Sequence, residues 1–417
     1  MQMARGSIGW SMVIKLAGAG LSFVITLLIA RWFGAAVSGQ YALAMQTVVA
    51  ASGIAVFGHD QLLVRRVAGD LKEGKLWFAN VAWQFATRAI LLSSVIAAAL
   101  IAVGSVFAEQ IDVSPTLILI SATGVLVFPF LSIIVAALRA VGKIITSQIF
   151  NGFLQSFVLL LMLTASIWLS VSLDAEVLAT YYVFSIVITT LVASFLIRRT
   201  TSRWPKYLDD RPKYSFADSA SIGLTVSTHM ITGWVIFVAV GAVLGLAEVG
   251  AFRVAIQITT IIARIFATFE GVVSPLFAGD FRSGNLKAAS IRHRHAVRTL
   301  LIFAGPPIVA CLIFPVEILS IFGEEFLMAA VTLQIMAAGQ VFNILTGPVG
   351  TMLIMAGKER VNLWLAVGGL FISVILTALL APTWGLAGAA TAIAAAQAFR
   401  TLLALYFVQG VLNPKPS

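Results

Sequence analysis

Residues 29–46 read IARWFGAAVSGQYALAMQ, and 211 positions later residues 240–257 read VGAVLGLAEVGAFRVAIQ. Gly34, Ala36, Gly39, Ala44 and Gln46 return as Gly245, Ala247, Gly250, Ala255 and Gln257, and Tyr41 returns as Phe252. Two further blocks follow in the same order. AGDLKEGKL at 68–76 matches AGDFRSGNL at 278–286, and Ala122, Gly124, Leu138, Gly142 and Lys143 pair with Ala337, Gly339, Leu353, Gly357 and Lys358. Three collinear matches at nearly constant spacing identify an internal duplication, so the fold is one unit built twice. Two homologous membrane halves suggest lobes that rock about a shared cavity, an arrangement more usual in transporters than in enzymes.

That the halves are membrane halves follows from composition. Of the 417 residues, 60% are apolar and 11% charged, and the mean hydropathy is +1.02. Too little polar surface exists to cover a soluble globule. Apolar windows of about 20 residues fall near 7–30, 41–58, 82–107, 116–138, 148–171, 175–197, 219–241, 250–273, 298–317, 329–355, 361–381 and 384–409. The expected fold class is therefore an all-α polytopic protein of twelve transmembrane helices. Bends are expected at Pro129, Pro275, Gly305-Pro306-Pro307 and Gly347-Pro348, where a missing N–H frees a carbonyl. The first window is too long for the core of a signal peptide and reads as a retained helix.

The net charge of +10 reports orientation rather than a nucleic-acid partner, because the basic residues sit in alternate short loops. Arg65, Arg66, Lys72 and Lys75, then Arg139 and Lys143, then Arg198 to Lys213, then Arg282 to Arg294, and Lys358 with Arg360 occupy the even loops. The odd loops carry Glu109, Asp112, Asp174, Glu176, Glu248, Glu317, Glu324 and Glu325, with Arg31 the main exception. Both termini are expected in the cytoplasm, and an even number of spans per repeat gives the halves one orientation. The stretch 198–216 is the longest polar run and holds Pro205 and Pro212. It divides the chain into an N-terminal lobe at 1–200, a cytoplasmic linker at 201–216 and a C-terminal lobe at 217–417. Cys311 is the single cysteine, so no intrachain disulfide is expected.

Ionisable groups inside spans are costly and mark function by default. Here they are Lys15, Arg88, His229, Arg253, Arg264, Glu270 and Arg400, and most are basic. Arg253, Gln257, Thr260 and Arg264 stand at i, i+4, i+7 and i+11, one face of a helix. Ser11, Lys15, Gly18, Ser22 and Thr26 form a similar stripe in the first span, as do Ser221, Thr225, Thr228 and Thr232 in the seventh. The first and seventh spans are repeat equivalents, as are the second and eighth. A shared cavity lined from matched helices is expected, and its cations suit a phosphate or pyrophosphate.

Each candidate also has a plainer reading. Lys15 and Arg88 have stems long enough to snorkel to the cytoplasmic surface. Arg253 sits near a membrane edge, Arg264 has Glu270 within pairing range, and Arg400 lies in an otherwise small, apolar span and reads as structural. His229 and Glu270 are the candidates for proton exchange, with a packing histidine the alternative for the first. GDLKEGK at 69–75 matches a phosphate-loop pattern, but Leu76 lacks the metal-binding hydroxyl and no strand precedes it. His293 and His295 stand in a basic stretch at 283–298, read as a loop that is either solvated or laid on anionic lipid. No metal site, cofactor or catalytic constellation is expected, and the chain is not read as an enzyme.

LLIARWFGAAVSGQYALAMQ, the basic GHDQLLVRRVAGD, IFGEEFLMAAVTLQIMAAGQ and TWGLAGAATA, taken in order, resemble the polysaccharide transporter family. These are lipid-linked oligosaccharide flippases of the multidrug/oligosaccharidyl-lipid/polysaccharide exporter superfamily. The resemblance spans essentially the whole chain. It implies two six-helix lobes in a V-shaped architecture like that of the multidrug and toxin extruders, with a cavity lined by helices one, two, seven and eight. It implies alternating-access translocation of polyisoprenyl-pyrophosphate-linked glycans to the outer leaflet of a bacterial inner membrane, for O-antigen, capsule or exopolysaccharide assembly. Its partners would be that glycan, membrane lipids and other glycan-assembly membrane proteins. On this reading Arg253 and Arg264 bind pyrophosphate, Lys15 attracts it from the cytoplasm, and Gln46, Gln257 and Thr260 contact sugar. An exporter of small molecules with the same fold is the alternative, although extruders commonly place acids, not arginines, in the membrane.

Overall fold

The computed structural model describes residues 2–64, 78–111, 113–169, 173–201 and 217–412, and the described chain is helical with no strand. The linker beyond Thr201 and the 68–76 block, with Arg65, Arg66, Lys72 and Lys75, lie outside the described residues, as do the side chains of Ser11 and Ser221. The first half contains α1 (Gln2–Val56), α2 (Phe78–Ile111), α3 (Pro115–Ala140), α4 (Ile144–Gln148), α5 (Leu154–Trp168) and α6 (Ala175–Thr201). The second contains α7 (Ala217–Val243), α8 (Leu246–Arg282), α9 (Leu286–Ile313), α10 (Pro315–Ser320), α11 (Ala330–Thr346), α12 (Val349–Met355) and α13 (Glu359–Leu412).

Ten stretches among the described residues are long and apolar enough to cross a bilayer. Two of them, in α1 and α13, run 44 and 54 residues, more than twice what about 30 Å of hydrocarbon requires. Both break at a glycine with left-handed φ, Gly34 (75°) in α1 and Gly385 (59°) in α13. Each glycine divides its long helix in two, which is compatible with the twelve crossings read from the sequence.

Repeat equivalents take the same backbone. Gly34 (φ 75°, ψ −179°) and Gly245 (φ 121°, ψ 177°) both open the helix that follows them. Gly142 and Gly357 both sit left-handed, at φ 81° and 74°. After each, the next N–H reaches back to its helix: Lys143 to the Leu138 carbonyl at 2.9 Å, and Lys358 to the Leu353 carbonyl at 2.8 Å. This is the glycine-closed helix end in which a six-to-one hydrogen bond satisfies an orphan carbonyl.

Packing divides the chain into two compact units, Met1–Phe33 with Gln40–Trp234, and Gly34–Gly39 with Val235–Ser417. In the first unit α2 packs on α3, and α6 packs on both α3 and α5. Val56, Leu62, Leu63, Phe85, Ala89 and Ile133 form a core at one end of it. Ser114 starts α3 by accepting the Leu117 N–H at 3.1 Å, with Pro115 at the first helical position where no N–H is needed. Pro129 stays within α3. The fifth span, expected as one helix, is interrupted between α4 and α5, where Asn151 and Gly152 (φ 104°) leave helical geometry.

In the second unit α8 packs on α9, α11 and α12, and α13 packs on α11 and α12. Val273, Phe277, Ala289, Met352, Leu353 and Val408 form its core. The basic stretch at 283–298, expected as a loop, is the start of α9. Asn285 caps it by accepting the Ala288 N–H at 3.0 Å, and the Lys, Ala and Arg residues that follow are good helix formers, so the helix extends beyond the apolar window. Pro306 and Pro307 stay within α9. The expected break at Gly347-Pro348 is present, with α11 stopping at Thr346, Gly347 left-handed at 69°, and α12 starting at Val349. Leu91, Val95, Ile302, Phe303 and Phe371 are exposed apolar side chains, a surface that suits lipid rather than water.

Candidate functional site

The polar stripe of α8 is a real face of one continuous helix. Gln257 is buried, Arg253 and Thr260 are half-buried, and Arg264 is exposed. The helix is long enough to carry all four because Gly245 starts it with a left-handed residue and 37 residues follow without interruption. Thr259, beside the stripe, returns its hydroxyl to the Ala255 carbonyl at 3.0 Å, so it is satisfied within the helix. These residues belong to the second unit, together with Glu270.

Lys15, Gln46 and His229 belong to the first unit. Lys15 and His229 are exposed and Gln46 is half-buried. Gln46 lies along α7, its Nε2 standing 3.2 Å from where a side chain on Gly233 would begin. One residue on, the Trp234 indole donates to the Thr47 hydroxyl at 2.9 Å. A turn or two further along, Met230 fills the space over Gly53. Small residues let these helices approach, and the polar groups then find partners across the contact.

Glu270 does not join the stripe. Six residues past Arg264, it points about 120° away on an ideal helix. Its Oε1 accepts the Thr351 hydroxyl from α12 at 2.8 Å. Arg400 of α13 is near enough to act on it electrostatically, and the two form no ion pair. Arg400 thus has an acid in its neighbourhood that its own apolar helix did not disclose. Sequence spacing has no access to this contact, because α8, α12 and α13 meet only in the folded unit.

A second polar cluster, missed at the sequence level, lies at the core end of the first unit. His59 is fully buried, with Nδ1 2.6 Å from the Val56 carbonyl. Burial pushes its pKa below the ordinary histidine value, and the nearby Arg88 adds to the effect. Burial pushes Asp60 the opposite way, partly offset by backbone hydrogen bonds and by Arg139. The HDQ of the loop string was the available signal, but His and Asp beside a span end are common enough to pass unremarked. Arg88 is therefore half-buried near this cluster, not simply laid along the surface.

His293 contacts the Thr346 carbonyl at 2.7 Å, where the break after α11 would leave an acceptor open. Arg292 pairs with Asp280, its Nε 2.7 Å from Oδ2. Among the described residues no group of three or more His, Cys, Asp or Glu is assembled that would hold a metal ion.

A duplicated all-helical bundle with polar stripes on membrane helices has the architecture of a membrane transporter. The family model of polysaccharide biosynthesis proteins matches residues 5–279, and the MatE model matches residues 222–379. The chain belongs to the polysaccharide biosynthesis protein family. No curated protein matches by sequence. Among solved structures, the fold is similar to lipid II flippase MurJ in its inward closed conformation, with a TM-score of 0.74 at 15% identity over 96% of this chain and 87% of that one. It is also similar to a transporter of the multidrug/oligosaccharidyl-lipid/polysaccharide exporter superfamily from Pyrococcus furiosus, described as having a binding pocket of reversed polarity (TM-score 0.67, 13% identity, 98% and 95% covered). An inward-facing multidrug MATE transporter gives a TM-score of 0.65 at 15% identity over 98% and 94%.

Proposed function

We propose that this protein carries polyisoprenyl-pyrophosphate-linked oligosaccharides from the inner to the outer leaflet of a bacterial inner membrane, for assembly of cell-surface polysaccharide. The observation that carries the reading is the cationic face of α8, where Arg253, Gln257, Thr260 and Arg264 align while Glu270 is engaged elsewhere. A cationic lining favours an anionic head, and a guanidinium can hold two phosphate oxygens at once. Lobes divided at 201–216, with both termini cytoplasmic, would expose that lining to each leaflet in turn. A wet groove open to the side lowers the cost of moving the glycan head through hydrocarbon, while the polyprenyl tail stays in lipid. Lys15 attracts the head at the cytoplasmic side, and Gln46, Gln257 and Thr260 contact sugar. His229 and Glu270 are the groups available for proton coupling.

The MatE match over 222–379 favours a second reading, export of small molecules by the same fold. Complementation of a flippase-null strain separates the two. Arg264→Ala is expected to abolish glycan export at near-normal membrane abundance, and Arg264→Lys to restore it only in part, since lysine keeps the charge without the planar fork. Full export by the alanine variant removes Arg264 from the binding role. Wild-type protein that extrudes cationic dyes but carries no glycan supports the exporter instead.

A further inference from the structure

The ends of four helices in the second unit enclose a cavity of about 630 Å³, within the range of about 300–1,000 Å³ common to ligand sites. α8 contributes Phe281 and Arg282, α12 contributes Ile354 and Met355, and α13 contributes Glu359 from its first turn and Val411 from its last. The start of α9 completes it. One wall is apolar. Phe281 and Met355 lie against the core of the unit. Ile354 is exposed, as is Phe407, one turn back from Val411 on the same helix face, so this wall runs on to the surface that suits lipid.

Two opposite charges line the same space without using each other. Among the described residues, Arg282 and Glu359 form no ion pair, with one another or with any other group. Asp280, two residues before Arg282, is taken by Arg292 at 2.7 Å. Lys287, Lys358 and Arg360 are exposed beside lining residues and leave the rim net positive. A cation at the end of α8 and an acid at the start of α13 each suit the local helix dipole. The dipole accounts for each charge separately, but not for their lining one cavity unpaired.

We propose that this cavity binds a glycerophospholipid whose head carries a phosphodiester and a primary ammonium, as in phosphatidylethanolamine. Arg282 holds the phosphate, Glu359 accepts from the ammonium, and an acyl chain lies along Ile354, Met355 and Val411 towards Phe407. A guanidinium donates to two phosphate oxygens at once, and an ammonium brings three N–H donors to the carboxylate. A choline head has no such donor. An anionic head without an amine leaves Glu359 facing a like charge, and a soluble phosphate ester lacks the chain that the apolar wall accommodates. On the expected orientation the head lies in the cytoplasmic leaflet. The site uses none of the residues assigned to cargo, so it is independent of the transport reading.

The test is thermal unfolding of the full-length protein, delipidated in detergent and supplemented with one lipid at a time, all with the same acyl chains. A ligand that binds only the folded state raises the melting temperature, and its dose dependence gives an apparent affinity. Phosphatidylethanolamine is expected to bind about tenfold more tightly than phosphatidylcholine or phosphatidylglycerol, the scale of one charge-assisted contact. Glu359→Gln should erase that preference, and Arg282→Gln should weaken binding of all three lipids. Both positions are exposed, so neither exchange empties a core. Glu359→Lys is expected to reverse the order and favour phosphatidylglycerol, a gain that misfolding cannot produce. O-phosphoethanolamine, which has the head without the chains, should give no shift at the same concentrations. Equal responses to the three lipids in the wild type, or a preference for phosphatidylethanolamine that survives both glutamine variants, overturns the proposal. A full shift from O-phosphoethanolamine overturns it in favour of a soluble phosphate ester.

Discussion

The Glu325 carboxylate accepts the Ala35 N–H at 2.7 Å across 290 positions of sequence. Ala35 follows the break at Gly34, so its N–H is one of the four that a helix start leaves without an intrahelical acceptor. A negative charge there also faces the positive end of the helix dipole. Glu325 is exposed, which screens the interaction, so Glu325→Ala is expected to cost about 1 kcal/mol, with Glu325→Gln retaining part of it. Thermal unfolding of the detergent-solubilised protein reads this directly, and equal melting points for all three proteins would remove the capping role. The acidic EE pair was legible in the sequence as part of an outer loop. That one of its acids caps a helix from the other repeat was not, because the cap lies outside any local window.

At the scale of elements, the glycines shared by the two repeats separate into closures and crossings. Gly142 and Gly357 close helices, a role their left-handed φ makes plain. Gly39 and Gly250 instead sit where the start of the second half of α1 crosses α8. A Cβ on Gly39 would lie 1.8 Å from the Leu246 carbonyl oxygen, and one on Gly250 would lie 2.1 Å from that of Ala35. Backbone touches backbone there, so neither neighbour has a flexible end to move. Gly39→Ala or Gly250→Ala therefore forces the two helices apart, and membrane abundance and melting temperature are both expected to fall. Gly279, also in α8, has nothing within 4 Å of its Cβ position and an ordinary helical φ. Gly279→Ala is expected to be neutral or to stabilise by about 0.5–1 kcal/mol through helix propensity. Comparable losses from both substitutions would show that the crossing is no tighter than an ordinary helix interior. The periodicity of the sequence located these helices well but treated all their glycines alike.

For the whole molecule, the charge of the short loops carries the topology prediction. Lys143 and Lys358 each follow a helix-closing glycine, whereas Asp174 and Glu324 lie in loops of the opposite parity. Reporters fused at Gly142 and Gly357 are expected to read cytoplasmic, and those at Asp174 and Gly323 external. A reporter active outside the membrane at both Gly142 and Gly357 would invert the orientation and, with it, the assignment of Lys15 to the cytoplasmic side. The duplication makes the result redundant, since equivalent loops of the two repeats must agree.

The sequence by itself determined the membrane class, the all-helical fold, the internal repeat, the break at Gly347-Pro348 and the polar face of α8. Each is written in composition or in a short-range period, which the chain carries before it folds. The missed break at Asn151-Gly152 and the helical start of α9 show the limit of that reading: a window of apolar residues marks where a helix meets lipid, not where its hydrogen-bond ladder begins or is interrupted. Only the tertiary structure decided that Glu270 meets Thr351, that Glu325 meets Ala35, and that Gly39 meets Gly250. Those partners come from helices far apart along the chain, and a single charge or glycine has no period from which its neighbour can be read.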